Sequence, residues 1–574
     1  MTRPTGVRGL TAALLVLALL GTSGCGTDVA QTAVRGAEPL PAPLDCSPPS
    51  AAAALPDDMR FGGGTSVSTW VLATGDYGPD QGPGVGVAAL DAYRLFANGH
   101  LLATGTASLV PAFVPLTLLP GDNVIAVVVS AQGRPPALLA ELDELERTYG
   151  SDAHWKVTNN PPLDFADPSA DDTSWDTPID RGAPEASPGC AVDAGFPSGA
   201  DAHFITAAEP GTAVFRLDVH IAPIGFAADT TGGGAADPVL ASTTDELLSA
   251  VKSDDPKVVV VPQGFLDVRR TGDDVTQTMA CPTACPDDPS MLTYNLLPDD
   301  APPCAVDMVP AQRDERRIKI GSNTTLVGLG RGALLFGGNL YVDGSKNVIV
   351  RNVALYGVNP GLIEAGDGIT IDGGDGVWVD HATFNLISDG FIDSTTSSQN
   401  LTFSWIKNDG TNPDACNQRH PRSNELSDTN ATIHHSLWEH VDGRAPLATK
   451  SGARLHLFDN VVTDDVNYAV GSSCQAQVLL EESTFEHVKY PTAKFPCTDG
   501  ATDFGLIEAA GHGNVYGSDG RHQVDHMDAL EPDDAVSAFT YPYELALDPA
   551  SKASLLVPVW AGAGGRWPLP LQMP

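Results

Sequence analysis

Three aspartates have the residue type and the spacing that point most clearly to chemistry. Asp367 lies in the glycine-flanked segment 366–372, and Asp389 and Asp393 stand four residues apart. The strand pattern described below places these segments on adjacent coils, so the three carboxylates would meet on one face. Carboxylate oxygens are ligands that Ca²⁺ prefers, so such a pocket would suit that ion. On spacing alone, however, the favoured interpretation is a solvated acidic surface, which is common in acidic chains.

The chain as a whole is strongly acidic. Its 574 residues include 32 Lys and Arg against 72 Asp and Glu, which gives a formal net charge of −40. This balance disfavours nucleic acid as a partner, because a phosphate backbone is held by clustered cations. Hydrophobic residues make up 42% and charged residues 18%, with 58 Gly and 46 Pro. Such a composition favours many short strands joined by turns, and we predict an all-β protein.

The first 25 residues predict export. Arg3 and Arg8 precede the apolar run from Leu10 to Leu20, which is too short to span a bilayer as a stable helix. The segment that follows ends in Cys25 and resembles the lipobox of bacterial lipoproteins, whose cysteine is lipidated after cleavage. We expect either a cell-envelope lipoprotein, held at the membrane only by the lipid on Cys25, or a secreted protein.

Eight cysteines remain after Cys25. An even number in an exported chain favours disulfides over free thiols, but their pairing cannot be deduced from the spacing. Cys281 and Cys285 could instead form half of a metal site, although no second pair at zinc spacing accompanies them. The eight are Cys46, Cys190, Cys281, Cys285, Cys304, Cys416, Cys474 and Cys497.

Changes in composition divide the chain into five segments. Residues 1–25 are the predicted signal, and residues 26–50, rich in Ala and Pro, predict a linker. Residues 51–225 contain short strand-like runs separated by Gly, Pro and Asp, which is typical of a β-sandwich. Residues 226–240 contain a run of glycines and predict a second linker, after which residues 241–574 follow a different pattern.

The predicted sandwich resembles the galactose-binding-like jelly-roll modules that are attached to many bacterial glycoside-processing enzymes. The resemblance rests on the segments 91–99, 119–126 and 171–175 together with Phe215-Arg216, and Asn98-Gly99 predicts a tight hairpin turn. Such modules either bind carbohydrate or only pack against their neighbours. A structural role is favoured for the aromatic candidates for sugar contacts, because buried aromatic residues mostly serve cores; these candidates are Tyr93, Trp155 and Trp175.

From about residue 240, strand-like triplets recur at the period of a solenoid coil. A capping box at Thr243–Glu246 predicts a short helix, and Lys257–Val261 predicts a buried strand. The later triplets begin 29, 24, 31, 23 and 23 residues apart, as a parallel β-solenoid requires, since each coil hides its apolar face against its neighbours. The triplets are Val348–Val350, Val377–Val379, Leu401–Phe403, Thr432–His434, Leu455–Leu457 and Val478–Leu480.

Several phrases of this second segment resemble the pectate lyase family 1 pattern, and they occur in the family's order between about residues 240 and 565. The family is a right-handed parallel β-helix that cleaves polygalacturonate by β-elimination, so the resemblance implies that fold and that activity. The phrases are residues 318–330, 347–352 and 376–384, His434-His435, Arg444–Pro446, Tyr541–Tyr543 and Ala561–Gly564.

The resemblance also implies roles for individual residues. Asp367, Asp389 and Asp393 match the family's calcium ligands, and Arg444 matches its catalytic base. Calcium would neutralise the charge that develops when a proton leaves the carbon next to a uronate carboxylate. Arginine is normally a permanent cation, so the role of base requires a site that makes proton loss accessible. Otherwise Arg444 would clamp a carboxylate or form a structural ion pair.

Two departures from the family pattern concern substrate binding. The family places a second arginine five residues after the base, where this chain has Thr449 followed by Lys450, and it has a substrate-binding lysine in a phrase that is absent here. We therefore assign substrate binding to Lys450 and Lys407, with Arg419 and Arg422 as other possible replacements. The alternative is that each of these is an ordinary surface charge.

We predict an exported, monomeric polysaccharide lyase that cleaves polygalacturonate by Ca²⁺-dependent β-elimination. The first alternative is a non-catalytic, surface-anchored glycan-binding protein on a degenerate lyase scaffold, and hydrolysis by paired carboxylates is a weaker one. The net charge of −40 opposes a polyanionic substrate, so binding would need calcium and a strip of cations. His381 is expected to support the wall of the helix. The candidates for the strip are Lys407, Arg444, Lys450 and Arg454.

Overall fold

The computed structural model describes the chain from residue 82 to residue 566 in several stretches. These are residues 82–184 without 107, 202–269, 317–413 without 359–361 and 364–365, 418–497 without 421 and 466, 503–517 without 510, and 541–566, together with two short strands at 282–284 and 292–295. The predicted signal segment, Cys25 and the first linker lie outside the described residues. None of the helices in the described stretches is long and apolar enough to cross a membrane.

Strands between residues 84 and 221 form two antiparallel sheets, as the sequence predicts. The first contains, in spatial order, Ser108–Pro115, Gly84–Ala89, Ala137–Asp143, Ile205–Thr206 and Ile179–Asp180, with Thr148–Gly150 also paired to Ala137–Asp143. The second contains His100–Gly105, Ala92–Ala97, Gly121–Ser130, Thr212–Ile221 and Lys156–Thr158.

Alternation along the strands builds the core of this sandwich. Ile125, Val127 and Val129 point into the core shared by both sheets, where they join Leu138 and Phe215. The intervening residues of the same strand pack on the outer side, so both faces of the strand are buried. The resulting core holds the two sheets face to face.

The hairpin predicted at Asn98-Gly99 is confirmed. Asn98 has φ 46° and Gly99 has φ 81°, the left-handed region that such turns need. Of the three aromatic candidates for sugar contacts, Tyr93 and Trp155 are buried in the sandwich core, and Trp175 packs partly buried against its outer cluster. This placement favours the packing role for Tyr93 and Trp155.

From residue 238 onward, most strands of the described stretches run parallel in three large sheets that together form a β-helix. Successive coils add strands to these sheets, and each strand pairs with its counterparts one coil away. The ten-stranded sheet contains Pro238–Leu240, Lys257–Val261, Thr324–Gly328, Lys346–Arg351, Asp375–Asp380, Gln399–Ser404, Asn430–His434, Arg454–Phe458, Gln477–Glu481 and Leu506–Glu508.

The other two large sheets complete the coils. The nine-stranded sheet contains Gly264–Asp267, Ala333–Phe336, Val353–Val358, Thr383–Ile387, Lys407–Asp409, Leu437–Glu439, Val461–Thr463, Thr484–Glu486 and Val515–Tyr516. The eight-stranded sheet contains Arg317–Lys319, Asn339–Asp343, Ile369–Asp372, Ile392–Thr395, Glu425–Ser427, Leu447–Thr449, Tyr468–Ser473 and Tyr490–Phe495. A small sheet joins Pro282–Ala284, Leu292–Asn295 and Leu362–Ile363. The predicted fold, an all-β chain with a sandwich before a parallel β-helix, is confirmed.

The register of the ten-stranded sheet corrects one predicted triplet. Val348, Val377 and Leu401 are successive partners, but the next partner of Leu401 is Ala431 and not Thr432. Ala431 points into the core, whereas the Thr432 hydroxyl faces outward and accepts a hydrogen bond of 3.1 Å from the backbone N–H of Phe226. The predicted triplet is displaced by one residue because the inward position holds the small Ala431, whereas the outward position beside it holds the β-branched Thr432.

Within the described residues, two helices and one disulfide accompany the coils. The capping box at Thr243 is confirmed at the start of the helix Thr244–Ala250, and a second helix spans Ala550–Trp560. Cys474 and Cys497 form a disulfide. The other six cysteines of the predicted set lie outside the described residues.

The sandwich and the β-helix belong to one compact unit, residues 43–574, and a buried arginine joins them. Arg351 donates hydrogen bonds of 2.7 Å to Asp380 and 3.3 Å to Glu144, which belongs to the sandwich side, and a third of 3.2 Å to the carbonyl of Leu118. Burial by itself would lower the pKa of Arg351, but Glu144 and Asp380 raise it. The charge is therefore retained in the interior because it is surrounded by carboxylates.

A second ionic contact joins the C-terminal segment to the sandwich. Arg566 lies 2.6 Å from Asp143, and the carboxyl of Glu141 lies beside that of Asp143 on the same strand. Burial and the neighbouring Asp143 together raise the pKa of Glu141 to about 7, although Arg566 opposes the increase. Glu141 thus shares a buried site with a second carboxyl group.

We predict that Arg351→Met destabilises the protein by about 3–5 kcal/mol, because it leaves the buried carboxylates of Glu144 and Asp380 without their counter-charge. Lys319→Met is the matched control, since Lys319 pairs with Asp343 on the exposed surface and should change stability by about 0–1 kcal/mol. Denaturant unfolding of both variants measures the difference. Equal shifts in the two variants would show that Arg351 does not hold the junction.

We also predict that stability falls as pH rises from about 4.5 to about 7. In this window the folded state keeps the proton on Glu141 that the unfolded state releases, so deprotonation costs stability. Glu141→Gln mimics the protonated form and should flatten this part of the pH profile. Melting temperatures between pH 4.5 and 8 test this, and an unchanged slope in the variant would contradict it.

Candidate functional site

The structure brings the three predicted aspartates together. Asp367 precedes the strand Ile369–Asp372 of the eight-stranded sheet, and Asp393 lies in the next strand, opposite Thr370. Asp389 stands in the turn before that strand. Each carboxylate places one oxygen within 4.8 Å of the others, and all three are partly buried. Stacking of adjacent coils produces this cluster.

Backbone groups and one glycine hold the carboxylates in position. Asp367 accepts hydrogen bonds from the Thr370 hydroxyl at 2.5 Å and from the Gly390 N–H at 3.1 Å. Asp393 accepts one from the Glu425 N–H at 2.8 Å. A Cβ atom on Gly390 would lie 1.9 Å from Oδ1 of Asp393. Only glycine at position 390 therefore leaves room for this carboxylate.

The electrostatics of the cluster favour a bound cation. Burial raises the pKa of Asp393 well above its usual range, and the neighbouring Asp367 and Asp389 raise it further. Three carboxylates that face one another repel, and a divalent cation between them would relieve that repulsion. The donor atoms are carboxylate oxygens alone, which is the set that suits Ca²⁺, so these residues fit that ion.

A second group of metal-ligand type lies in the nine-stranded sheet. Asp409, Glu439 and His440 also place ligand atoms within 4.8 Å of one another. Here the ammonium of Lys407 already lies 2.7 Å from Glu439. Because a lysine supplies the counter-charge, this group needs no metal ion to balance it.

Arg444 lies next to the aspartate cluster on the same side of the β-helix. Its guanidinium donates to the Glu425 carboxylate at 2.9 Å, while the backbone of Glu425 binds Asp393. Tyr468, from the following coil, also interacts with Arg444; burial raises the pKa of this tyrosine to about 12, although Arg444 itself lowers it. Glu425 therefore links the carboxylate cluster to Arg444.

A second arginine reaches this site from the loop before Glu425. Burial lowers the pKa of Arg422, and the positive charge of Arg444 lowers it further, while Glu425 opposes this. The loop is anchored by His420, which is buried, stacks on Phe391 at 4.4 Å and contacts the carbonyl of Arg422 at 2.6 Å. Of the possible replacements for the family's second cation, Arg422 is the one beside Arg444.

The other predicted cations lie elsewhere. Lys407 is in the nine-stranded sheet, paired with Glu439, and Arg454 begins a strand of the ten-stranded sheet. Lys450 is exposed and follows the strand Leu447–Thr449 of the eight-stranded sheet. Arg419 donates to the backbone carbonyl of Asp464. The predicted cationic strip is wrong as a single strip, because the chain changes sheet at each corner of the coil.

His381 lies in the wall, as expected from the sequence. It is fully buried, and its Nδ1 lies 2.8 Å from the carboxylate of Asp380. Sequence reasoning missed Glu425 and Tyr468, which complete the surroundings of Arg444. Neither stands in a matched phrase, and their only signal is their place one coil away from Asp393 and Arg444.

The described stretches thus combine a parallel β-helix with a carboxylate cluster and an adjacent arginine on one sheet. Comparison with known proteins identifies the class of protein to which this arrangement belongs. The family model described as "Pectate lyase" matches residues 289–521. The chain is 32% identical over 278 residues to probable pectin lyase B of Aspergillus fumigatus, covering 46% of this chain and 72% of that protein. It is 30% identical over 344 residues to probable pectin lyase A of Aspergillus fumigatus, covering 57% and 90%.

Solved structures also match the chain, at lower identity. A pectate lyase of Bacillus sp. N165 in complex with trigalacturonate has 20% identity and a TM-score of 0.41, covering 60% of this chain and 99% of that chain. A pectate lyase of Paenibacillus sp. 0602 has 17% identity and a TM-score of 0.44, covering 59% and 95%. Because of its identity with the two pectin lyases, the chain belongs to the pectate lyase family and is a polysaccharide lyase, as the sequence predicts.

Proposed function

We propose that this enzyme cleaves a galacturonan, the acidic chain of pectic polysaccharides, by Ca²⁺-dependent β-elimination on the eight-stranded sheet. The observation that carries the proposal is the cluster of Asp367, Asp389 and Asp393 beside Arg444 and Arg422. In β-elimination a base removes the proton at C5 of a uronate, and the oxygen at C4 leaves. Negative charge develops next to the substrate carboxylate, so positive charge must be close to it.

Calcium would be held by the three aspartates, and when bound it supplies charge neutralisation next to the substrate carboxylate. The chain's own residues hold the rest of the site. The Glu425 N–H fixes Asp393, and Gly390 leaves the space that this carboxylate occupies. The cluster is therefore built before any ion arrives, and binding does not need a large rearrangement.

Arg444 is the residue we assign as base. It is partly buried and lies between Glu425 and Tyr468, which orient its guanidinium on the substrate side of the sheet. In the structure one of its N–H groups is occupied by Glu425, so this contact must be exchanged for the substrate before a proton can move. Glu425 is thus a positioning residue for Arg444.

Arg422 is assigned to the substrate carboxylate. Its guanidinium supplies a cation near Arg444 where the family pattern has an arginine and this chain has Thr449. A planar guanidinium binds a carboxylate through two parallel hydrogen bonds, which also fixes the orientation of the sugar ring. Lys450, exposed at the end of the adjacent strand, is assigned a weaker, outer role.

A second candidate substrate is methyl-esterified pectin. The curated relatives reported above are named pectin lyases, and this chain lacks two cations of the pectate pattern. Esterification removes the substrate's negative charge, so fewer cations are needed and the repulsion by a net charge of −40 falls. We retain both substrates and separate them by assay below.

For the location we propose an extracellular enzyme that is secreted or held at the cell envelope by a lipid on Cys25. The support is the sequence pattern of residues 1–25. A monomer is proposed as well, and the boundaries at residues 225 and 241 stay predictions. The last sandwich strand ends at Ile221 and the first β-helix strand is Pro238–Leu240, which is compatible with them.

We predict that Ca²⁺ raises the melting temperature and that chelation reverses the gain, because an ion that binds only the folded state stabilises it by about 2.7 kcal/mol at a 100-fold excess over Kd. Asp393→Asn and Gly390→Ala should abolish or sharply reduce the gain. Asp372→Asn, an acidic residue of the same sheet outside the cluster, is the control and should keep it. A full gain in Asp393→Asn would place the ion elsewhere.

We predict eliminative cleavage, measured by the ultraviolet absorbance of the unsaturated product, on polygalacturonate or on methylated pectin. Arg444→Lys should lower kcat at least about a hundredfold, as expected for loss of the base. Arg422→Ala should mainly raise KM on polygalacturonate and have less effect on pectin, whereas Lys319→Ala should change neither. Full activity of Arg444→Lys would overturn the assignment, and saturated product ends would indicate hydrolysis.

A further inference from the structure

A buried histidine joins the aspartate cluster to the loop that carries Arg422, here called the arginine loop (residues 418–420 and 422–424). His420 is only 2% exposed, so its side chain lies too deep to contact a polysaccharide. Its Nε2 lies 2.6 Å from the backbone carbonyl oxygen of Arg422, and the ring also hydrogen-bonds with the backbone of Asp389. One side chain therefore contacts both a proposed calcium ligand and the cation assigned to the substrate carboxylate.

The ring also packs against the turn that bears Asp389 and Asp393. It stacks on Phe391 at a centroid distance of 4.4 Å, and the N–H of Phe391 donates to the carbonyl of Ser423 at 2.5 Å. Burial lowers the pKa of His420 to about 4, so at neutral pH the ring carries one N–H, which either neighbouring carbonyl can accept. The stacking and the Ser423 contact hold the arginine loop to this turn whichever carbonyl accepts it.

On its opposite side the arginine loop is fixed to the coil of Arg444. The Asp442 N–H donates to the carbonyl of His420 at 2.8 Å. The Asn424 N–H donates to the carbonyl of Arg444, also at 2.8 Å. The loop is thus held between the coil of the calcium ligands and the coil of the assigned base, and its position sets how far Arg422 lies from each.

Arg422 needs such an anchor because its guanidinium and that of Arg444 repel each other. Burial lowers the pKa of Arg422, and the charge of Arg444 lowers it further. This repulsion would turn the loop outward unless the backbone were held in place. His420 restrains Arg422 at its own carbonyl, and so fixes the residue through its backbone rather than through its guanidinium.

From these contacts we infer that His420 is a positioning residue for the elimination reaction, which acts through Asp389 and Arg422. The inference rests on the proposed function, because both of those residues receive their roles there. The ring keeps the calcium site and the cation for the substrate carboxylate at a fixed separation. Its loss would weaken calcium binding and raise KM, with less effect on kcat, because the guanidinium of Arg444 is held separately by Glu425.

The main test is His420→Phe, which keeps a flat ring against Phe391 and removes both polar contacts. We expect KM on polygalacturonate and the calcium Kd from titration calorimetry each to rise at least about tenfold, while kcat at saturating calcium falls less. The matched control is His456→Phe, because His456 is also buried and binds Glu481 and Tyr543 on the ten-stranded sheet. The control should lower stability and leave KM and the calcium Kd unchanged.

A double-mutant cycle shows whether the effect on KM passes through Arg422. In the Arg422→Ala background, His420→Phe should add little to KM, since the residue that His420 positions has already been removed. Full additivity of the two substitutions would overturn the inference. An unchanged calcium Kd in His420→Phe, or equal changes in His456→Phe, would overturn it as well.

Hydrogen exchange and the activity of the parent separate the two ways in which this idea can fail. The amides of Phe391, Asn424 and Asp442 should exchange faster in His420→Phe than in His456→Phe, because they hold the arginine loop to its two neighbouring coils. A parent without eliminative activity sinks the proposed function, and the role of His420 with it. An active parent that binds calcium, with KM, calcium Kd and exchange all unchanged in His420→Phe, overturns this inference alone.

Discussion

Every part of the site depends on the hydrogen-bond ladder that stacks one coil on the next. Paired strands lie about 4.8 Å apart, so residues at one ladder position in successive coils are neighbours however long the loops between them are. Thr370, Asp393 and the coil position of Glu425 follow one another in this way. The ladder thus compresses about a hundred residues of sequence into one small surface. A change in register by one residue would turn the carboxylates into the apolar core.

The same stacking brings backbone strain to the corners of the coils and lines up buried polar side chains beside the sandwich. Several corner residues that are not glycine adopt the left-handed conformation, among them His381, Trp405 and His435. The strand ends just before them carry Arg351, Asp380, Ser404 and His434 in register. Buried polar and charged side chains need partners, and Glu144 of the sandwich supplies one of them by pairing with Arg351. The sandwich therefore provides a counter-charge for the buried polar side chains of the β-helix.

The sequence allows the period and the inward residues to be predicted, because burial alone dictates alternating apolar side chains at each coil. It allows the aspartates to be grouped for the same reason, since they stand at fixed distances from those strands. Prediction from the sequence fails where small residues weaken the apolar pattern, as at Ala431. It also fails where the chain turns from one sheet to the next, as at Lys407. Glu425 and Tyr468 could not be selected beforehand, and Arg422 could be named only as one of several possible cations, because the loop lengths that bring these residues to Arg444 are set by packing in three dimensions.

For an acidic enzyme that acts on an acidic polymer, the long-range and the short-range electrostatic interactions with the substrate have to be considered separately. At physiological salt, exposed charges are screened beyond about 8 Å, so most of the −40 acts weakly on a substrate already in contact. Within that distance the proposed function relies on Arg422 and Arg444, which lie beside the aspartate cluster, and on the three aspartates as the residues that would hold a divalent cation. Under that proposal the empty carboxylates would repel the substrate, and a calcium ion held by them would reduce the repulsion by placing positive charge beside the substrate carboxylate. The proposed calcium site would then contribute to substrate binding as well as to the elimination step.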